Sequence, residues 1–324
     1  MKEPPEEPCY HVPVMVREAL EYLITDPAGV YVDATAGGGG HSEAIVSRLE
    51  SRGRLVGIDR DGEAIDCCRR RLAGFSGTAE FIHGEFASMD ALLAAAGVDR
   101  VDGVLFDLGV SSRQIDAPRR GFSYLNDGPL DSRMDARTAV TAEEVLRTRP
   151  ERELADLFFR YGEEKNARRI ARAVVTARER KPVTTTGELA EIVRRITPAR
   201  WQVKTLSRIF QALRLEVNDE LRQLQTGLEK AAALLKEGGR MVVITYHSLE
   251  DRMVKRFLRG PEDNDPFPGS RTKPEARFRI LTRKVVTPAP AEIMANPRAR
   301  SAKLRAAERR SSTPVLSAAN DSNG

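Results

Sequence analysis

The chain has 324 residues, 41% hydrophobic and 31% charged, with 52 Lys and Arg against 47 Asp and Glu for a formal net charge of +5. That is the composition of a folded protein long enough for one large domain or two ordinary ones, and its three cysteines (Cys9, Cys67, Cys68) are too few for a disulfide framework or a four-thiolate zinc site. The acidic, proline-rich start is unlike a secretory signal and no apolar run approaches the ~20 residues of a membrane span, so a reduced, cytoplasmic setting is expected, with no membrane partner.

The charge is unevenly spread. Residues 1–110 hold 10 basic and 19 acidic side chains, residues 111–270 hold 30 and 24, and residues 271–310 hold 12 and 3. An acidic front followed by basic later segments suggests a small-ligand site beside a polyanion-binding surface. The simpler alternative is a set of arginines on solvated helix faces.

In chain order, strand and helix first alternate. Strands are expected over residues 30–34, 54–58, 80–82 and 103–107, with helices over 42–49, 61–72 and 89–96 between them. That spacing implies a parallel sheet covered on both faces. The alternation then stops. A loop rich in Gly, Pro, Asp and Arg fills 111–138, and apolar residues at helical spacing follow over 142–161, 164–180 and 187–196. A long helical pattern, 204–236, leads through Gly238 and Gly239 into a fifth strand at 240–246. The sheet thus resumes after about 100 residues, which reads as a helical domain inserted into an α/β domain. Residues 262–275 read as a Pro/Gly-rich loop, 278–286 and 301–309 as a closing strand pair, and 311–324 as a disordered tail. The expected division is 1–111 with 205–310, and 112–204 as loop plus helical insert.

The first chemical candidate is Asp33-Ala-Thr-Ala-Gly37-Gly38-Gly39-Gly40-His41. A glycine-rich turn from strand to helix lets a ligand approach the backbone and the helix N-terminus. Asp59 ends the next strand 22 residues after Gly37, where a carboxylate can accept hydrogen bonds from both ribose hydroxyls of an adenosine-type cofactor. A nicotinamide dinucleotide and S-adenosyl-L-methionine both fit that geometry. Ser42 stands where the dinucleotide fingerprint needs its third glycine, and Asp33 suits a cationic sulfonium ligand, whose methionine amino group it can bind, better than a pyrophosphate. The methyltransferase reading therefore leads.

Two further constellations end strands. Asp107-Leu-Gly-Val-Ser-Ser-Arg-Gln114 follows the fourth strand, where ligands sit in open parallel sheets. Tyr246-His247-Ser248-Leu249-Glu250-Asp251-Arg252 follows the fifth. Here Ser248 is expected as a helix N-cap with Asp251 at its third helical position, while Tyr246 and His247 lie at the same sheet edge as Asp107. Asp107, Ser111 and His247 are the candidate catalytic residues. His11, His41, His83 and His247 show no metal-ligand spacing, so no metal is expected.

These segments also match a known family. His11-Val-Pro-Val-Met, the Asp33–Ser42 stretch, Gly57-Ile-Asp-Arg-Asp, His83-Gly-Glu-Phe, Asp107-Leu-Gly-Val-Ser-Ser-Arg-Gln, Arg120-Gly-Phe-Ser-Tyr, Asp127-Gly-Pro-Leu-Asp-Ser-Arg-Met-Asp, Tyr161-Gly-Glu-Glu, Phe210-Gln-Ala-Leu-Arg, Val217-Asn-Asp-Glu-Leu, His247-Ser-Leu-Glu-Asp-Arg and Asn296-Pro-Arg-Ala-Arg-Ser resemble the bacterial RsmH (MraW) family, in its order, over about residues 10–310. The resemblance implies a Rossmann-like S-adenosylmethionine-dependent methyltransferase domain with an inserted all-helical domain. It further implies N4-methylation of a cytidine in the decoding region of 16S ribosomal RNA in the small ribosomal subunit. Its cofactor contacts carry over onto Gly39, Gly40, His41, Asp59, Phe86, Asp107 and Gln114. Phe86 suits the role, since an aromatic ring after the third strand can pack on an adenine face.

On that reading Asp107 or Ser111 holds the weakly nucleophilic exocyclic amine in line, and no strong base is required. The helical insert and the basic C-terminal segment grip RNA phosphates, with Phe122, Tyr124 or Trp201 stacking bases. The rivals are an NAD-dependent oxidoreductase and a non-enzymatic RNA-binding assembly factor. A homodimer is left open.

Overall fold

The computed structural model describes residues 13–260 and 277–311, and the expected loop at 262–275 and all but the first residue of the tail at 311–324 lie outside them. The first half builds as the alternating pattern requires. In order come α1 (Val16–Leu23), β1 (Val30–Asp33), α2 (Gly40–Val46), β2 (Arg54–Asp59), α3 (Gly62–Arg71), β3 (Ala79–His83), α4 (Met89–Ala95) and β4 (Val101–Asp107). These strands carry apolar runs because both faces are covered. Tyr31, Leu55 and Leu105 pack toward α1, α2 and α3, while their neighbours Val32, Val56 and Val104 pack toward the opposite layer.

A short α5 (Ser112–Asp116) and an irregular loop follow, then α6 (Ala142–Thr148), α7 (Glu151–Arg160), α8 (Ala167–Arg180), α9 (Thr186–Ile196) and α10 (Ala199–Val217). These pack around a core of their own, including Leu146, Leu154, Phe158, Ile170, Val193, Ile209 and Leu213. Two long helical patterns are each broken in two. The first breaks at Arg149-Pro150, where Pro150 is the extended residue before α7. The second breaks at Asn218 and Asp219, with Asp219 left-handed at φ 49°. The division expected at 204/205 falls inside α10, whose residues pack in the helical core as far as Val217.

Next, α11 (Glu220–Leu234) lies on the sheet against α4 and leads into β5 (Leu235–Thr245). That strand starts five residues before the expected 240, and the β4–β5 register shifts between Val101 and Gly103, with Gly238 at φ 75° absorbing the extra length. The chain closes with α12 (Ser248–Arg259), β6 (Phe278–Ile280), α13 (Pro290–Ala295) and β7 (Lys303–Arg309). The closing pair is antiparallel as expected, but its first strand stops at Ile280 rather than 286.

The sheet order is β3-β2-β1-β4-β5-β7-β6, parallel from β1 to β5, with β7 antiparallel to both of its neighbours. This is a doubly wound, Rossmann-like sheet. Its strand order reverses between β1 and β4, which opens a crevice beyond their C-terminal ends.

Candidate active site

A cavity occupies that crevice. Its walls come from the turn after β1 (Ala34–Gly38, Gly40, His41), the end of β2 (Asp59, Arg60), Phe86 after β3, the segment after β4 (Asp107–Ser111, Gln114), and Tyr246 and Glu250 after β5. Ala64 of α3, Met134 from the loop before α6, Glu220 and Leu224 from α11, and Pro13 complete it.

The glycine turn is held from below. Gly37 is left-handed at φ 52° and its amide donates to Asp59 Oδ2 at 2.7 Å. Gly39, at φ 80°, donates to the Ala36 carbonyl at 2.8 Å. Its Cα faces Leu72 and Arg71 of the α3 side, so Gly39, expected as a cofactor contact, shapes the turn without lining the cavity. Asp33 is also placed differently from expectation. It is 1% exposed and lies under the turn, outside the cavity lining, with Oδ2 accepting from Ser42 Oγ at 2.7 Å and Oδ1 from Thr35 N–H at 3.3 Å, so it does not face a ligand in the cavity. Burial raises its pKa, with nearby His41 opposing.

Asp59 does line the cavity. Its two oxygens accept from the amides of Gly37 (2.7 Å) and Asp61 (2.8 Å), and burial pushes its carboxyl up to about 6 against those bonds. Phe86 stands edge-on to Phe106, with ring centroids 5.6 Å apart, and α11 presses on it through Gly227. Ser111 and Gln114 form a reciprocal capping box at the start of α5: Gln114 N–H donates to Ser111 Oγ at 3.2 Å, and Ser111 N–H to Gln114 Oε1 at 3.0 Å. Gln114 Nε2 also donates to Asp61 Oδ2 at 2.9 Å, which ties α5 to the N-terminus of α3.

Asp107 lies at the centre. Its backbone N–H donates to Thr35 Oγ1 at 2.7 Å, and its Oδ1 accepts from the Tyr246 hydroxyl at 2.8 Å. Its Oδ2 stands 3.4 Å from His41 Nε2, too far off line for a good hydrogen bond. Both His41 ring nitrogens are buried without a well-aligned partner, although the ring lines the cavity. Burial pulls the His41 pKa down, but Asp107 and then Asp33 more than reverse this and leave it raised.

The helix after β5 is capped by His247, not by Ser248. His247 Nδ1 accepts from Glu250 N–H at 3.4 Å, and its Nε2 lies 3.0 Å from Glu250 Oε1. Asp251 faces Arg305 at 2.7 Å instead of the cap. His247 itself is outside the cavity lining, which removes it from direct reach of a ligand there.

Sequence reasoning did not single out Arg60, Met134, Glu220, Leu224 or Glu250. Arg60, Met134, Glu220 and Glu250 fall within the quoted motifs, whose match to the family was the available signal. Glu220 accepts from Arg214 Nε at 2.8 Å, and burial raises its pKa. The lining therefore carries four carboxylates (Asp59, Asp107, Glu220 and Glu250), while its one arginine, Arg60, is turned to Glu85 and the Asn218 carbonyl. Among the described residues no cluster of three or more potential metal ligands occurs, and no helix is long and apolar enough to cross a membrane.

The fold and this cavity define a Rossmann-like α/β protein whose acidic ligand crevice sits at the switch point of the sheet. A family model described as the MraW methylase family matches residues 8–310, and the chain belongs to that family. It is 48% identical over 305 residues to the ribosomal RNA small subunit methyltransferase H of Carboxydothermus hydrogenoformans, covering 92% of this chain and 97% of that one. The protein of the same name from Chlorobaculum parvum is 50% identical over 310 residues, covering 91% and 97%. Among solved structures, a putative rRNA-methylase from Clostridium thermocellum aligns with a TM-score of 0.44 at 14% identity, over 93% of this chain and 98% of that one.

Proposed function

We propose that this protein transfers a methyl group from S-adenosylmethionine to N4 of a cytidine in the decoding region of 16S ribosomal RNA. The observation that carries the choice of cofactor is the charge of the crevice. Four carboxylates with no free arginine repel a pyrophosphate and attract a sulfonium cation, which weighs against a nicotinamide dinucleotide. The orphaned nitrogens of buried His41 and the ring of Phe86 also suit a ligand that brings polar groups and a flat base. The relatives' names support the RNA substrate.

When bound, S-adenosylmethionine supplies an electrophilic methyl on its sulfonium. The protein's own residues do the rest. Asp59 accepts the ribose hydroxyls, Phe86 covers the adenine, and Gly38, Gly40 and His41 give the chain close approach. An exocyclic amine is a poor nucleophile that offers two N–H donors, and Asp107 Oδ2 is the acceptor that orients it in line. Transfer would form an N–C bond as the methyl–sulfur bond of the bound cofactor breaks, with the electron pair staying on sulfur as a neutral thioether. Asp107 would stabilise the positive charge left on the amine until one proton is lost to it or to water. Ser111 Oγ already accepts from Gln114 N–H but keeps its own proton to donate.

The helices from α6 to α10 supply the RNA grip on this reading, because residues 147–208 hold 16 basic and 8 acidic side chains. Trp201 is 50% exposed with the Arg200 guanidinium 5.7 Å from its ring centre and is free to stack a base. Tyr124 is instead packed on Phe210 and bonded to Ser207, which places it in the scaffold. Calorimetric titration tests the cofactor assignment: S-adenosylmethionine binds and NAD does not, and the reverse result overturns it.

A further inference from the structure

Tyr246 joins the end of β5 to the end of β4 beside the crevice. Its hydroxyl donates to Asp107 Oδ1 at 2.8 Å, and its ring covers Gly109, where a Cβ would stand 3.4 Å from Tyr246 Cδ2. Gly109 has φ 103°, so the turn after Asp107 needs a glycine and leaves the space that the ring fills. Tyr246 is fixed in turn by Glu250, 3% exposed, whose Oε2 accepts the Tyr246 backbone N–H at 3.1 Å. Glu250 Oε1 faces His247 Nε2 at 3.0 Å, and His247 caps the same helix.

Asp107 is thereby held at two points, one on its backbone and one on its carboxylate. Thr35 takes its backbone amide, Tyr246 takes Oδ1, and Oδ2 is left turned between His41 and the cavity. With Oδ1 occupied, rotation about the side chain cannot exchange the two oxygens without breaking a charge-assisted bond. We propose that Tyr246 is a positioning residue for methyl transfer, acting through Asp107 to aim its free oxygen at the acceptor amine, with Glu250 as the brace that holds Tyr246. This rests on the assignment of Asp107 to the acceptor amine made above. The phenol is suited to the task because it stays a donor: burial, and then Asp107 itself, push its pKa well above the ordinary value.

The test is a double-mutant cycle on full-length protein, read as single-turnover methylation of unmethylated small-subunit RNA at saturating S-adenosylmethionine. Tyr246→Phe removes only the hydroxyl and keeps the ring over Gly109. It should lower the rate about tenfold or more while KM for RNA changes less than about twofold. Combined with Asp107→Asn, it should add no more than about a twofold further loss, because its target oxygen arrangement is already gone. Glu250→Gln should lower the rate a few-fold in the wild-type background and not in the Tyr246→Phe background. A wild-type rate in folded Tyr246→Phe overturns the proposal, and so does a double variant whose losses multiply. A wild-type protein that transfers no methyl to this RNA overturns the functional reading itself and is recognised before any variant is compared.

Discussion

Gly227 lies flat against Phe86: a methyl group on it would stand 2.5 Å from Phe86 Cδ2 and 3.0 Å from Cε2. Helix α11 can therefore approach the sheet only because this position lacks a side chain, and its approach fixes the ring that walls the crevice. Gly227→Ala gains ~1 kcal/mol of helix propensity but overpacks the contact at a cost of about 1–3 kcal/mol. We expect a slightly lowered melting temperature and a several-fold weaker S-adenosylmethionine affinity by calorimetry. An unchanged affinity means that Phe86 does not touch the cofactor.

With Asp59 on the cofactor's ribose, as proposed, binding should depend on pH. Its carboxyl is raised to about 6 by burial, whereas an unfolded chain releases that proton near pH 4. Between those values the folded, ligand-free protein holds more protons than the unfolded one, so this group costs stability as pH rises and the cost levels off above 6. On the proposed assignment, the ionised form is the better acceptor for ribose hydroxyls. Affinity should therefore be about tenfold weaker at pH 5 than at pH 7.5, and Asp59→Asn should weaken binding and flatten that dependence.

The RNA grip is tested on α8. Arg168 and Arg169 are exposed and have no ion-pair partner among the described residues, while Arg172 lies 3.5 Å from Glu151. Reversing all three charges should weaken RNA binding and reduce the slope of log affinity against log salt by roughly 0.7–0.9 per lost phosphate contact. Cofactor affinity should not move. If the triple variant binds like wild type at every salt concentration, these helices serve another purpose.

Asp107→Asn keeps shape and removes charge. With Asp107 stabilising the developing positive charge, the single-turnover rate at saturating cofactor should fall roughly 10- to 100-fold, well beyond any change in affinity. A near-wild-type rate removes the carboxylate from catalysis and leaves it as a cofactor anchor.

Much of this site is written in local sequence. The glycine turn, Asp59, Phe86, Asp107 and Gln114 all lie at or after strand ends, and short apolar runs place β1 to β4 within two residues. The remainder depends on contacts that periodicity does not encode. The break between α10 and α11 has helical patterning on both sides; it forms where the Asn218 side chain bonds Met134 N–H and the Ser132 carbonyl, both at 2.8 Å. That long-range tie also delivers Met134 to the cavity and starts α11 so that Glu220 reaches it. Asp33 looked like a ligand because it precedes the glycines, but the turn folds over it and Ser42 takes its oxygen. Ser248 has the residue type of a cap, yet His247, extended at φ −139°, takes that place and the helix starts one residue earlier, at Ser248.

The activity proposed for these residues is N4-methylation of a cytidine in small-subunit ribosomal RNA. Mass spectrometry of nucleosides from that RNA, in cells lacking the protein, tests it most directly. The N4-methylated cytidine of the decoding region should be missing, and purified protein with S-adenosylmethionine should restore it. Asp107→Asn protein should restore it far more slowly. An undiminished level of that nucleoside in the deletion cells would show that another enzyme makes this modification.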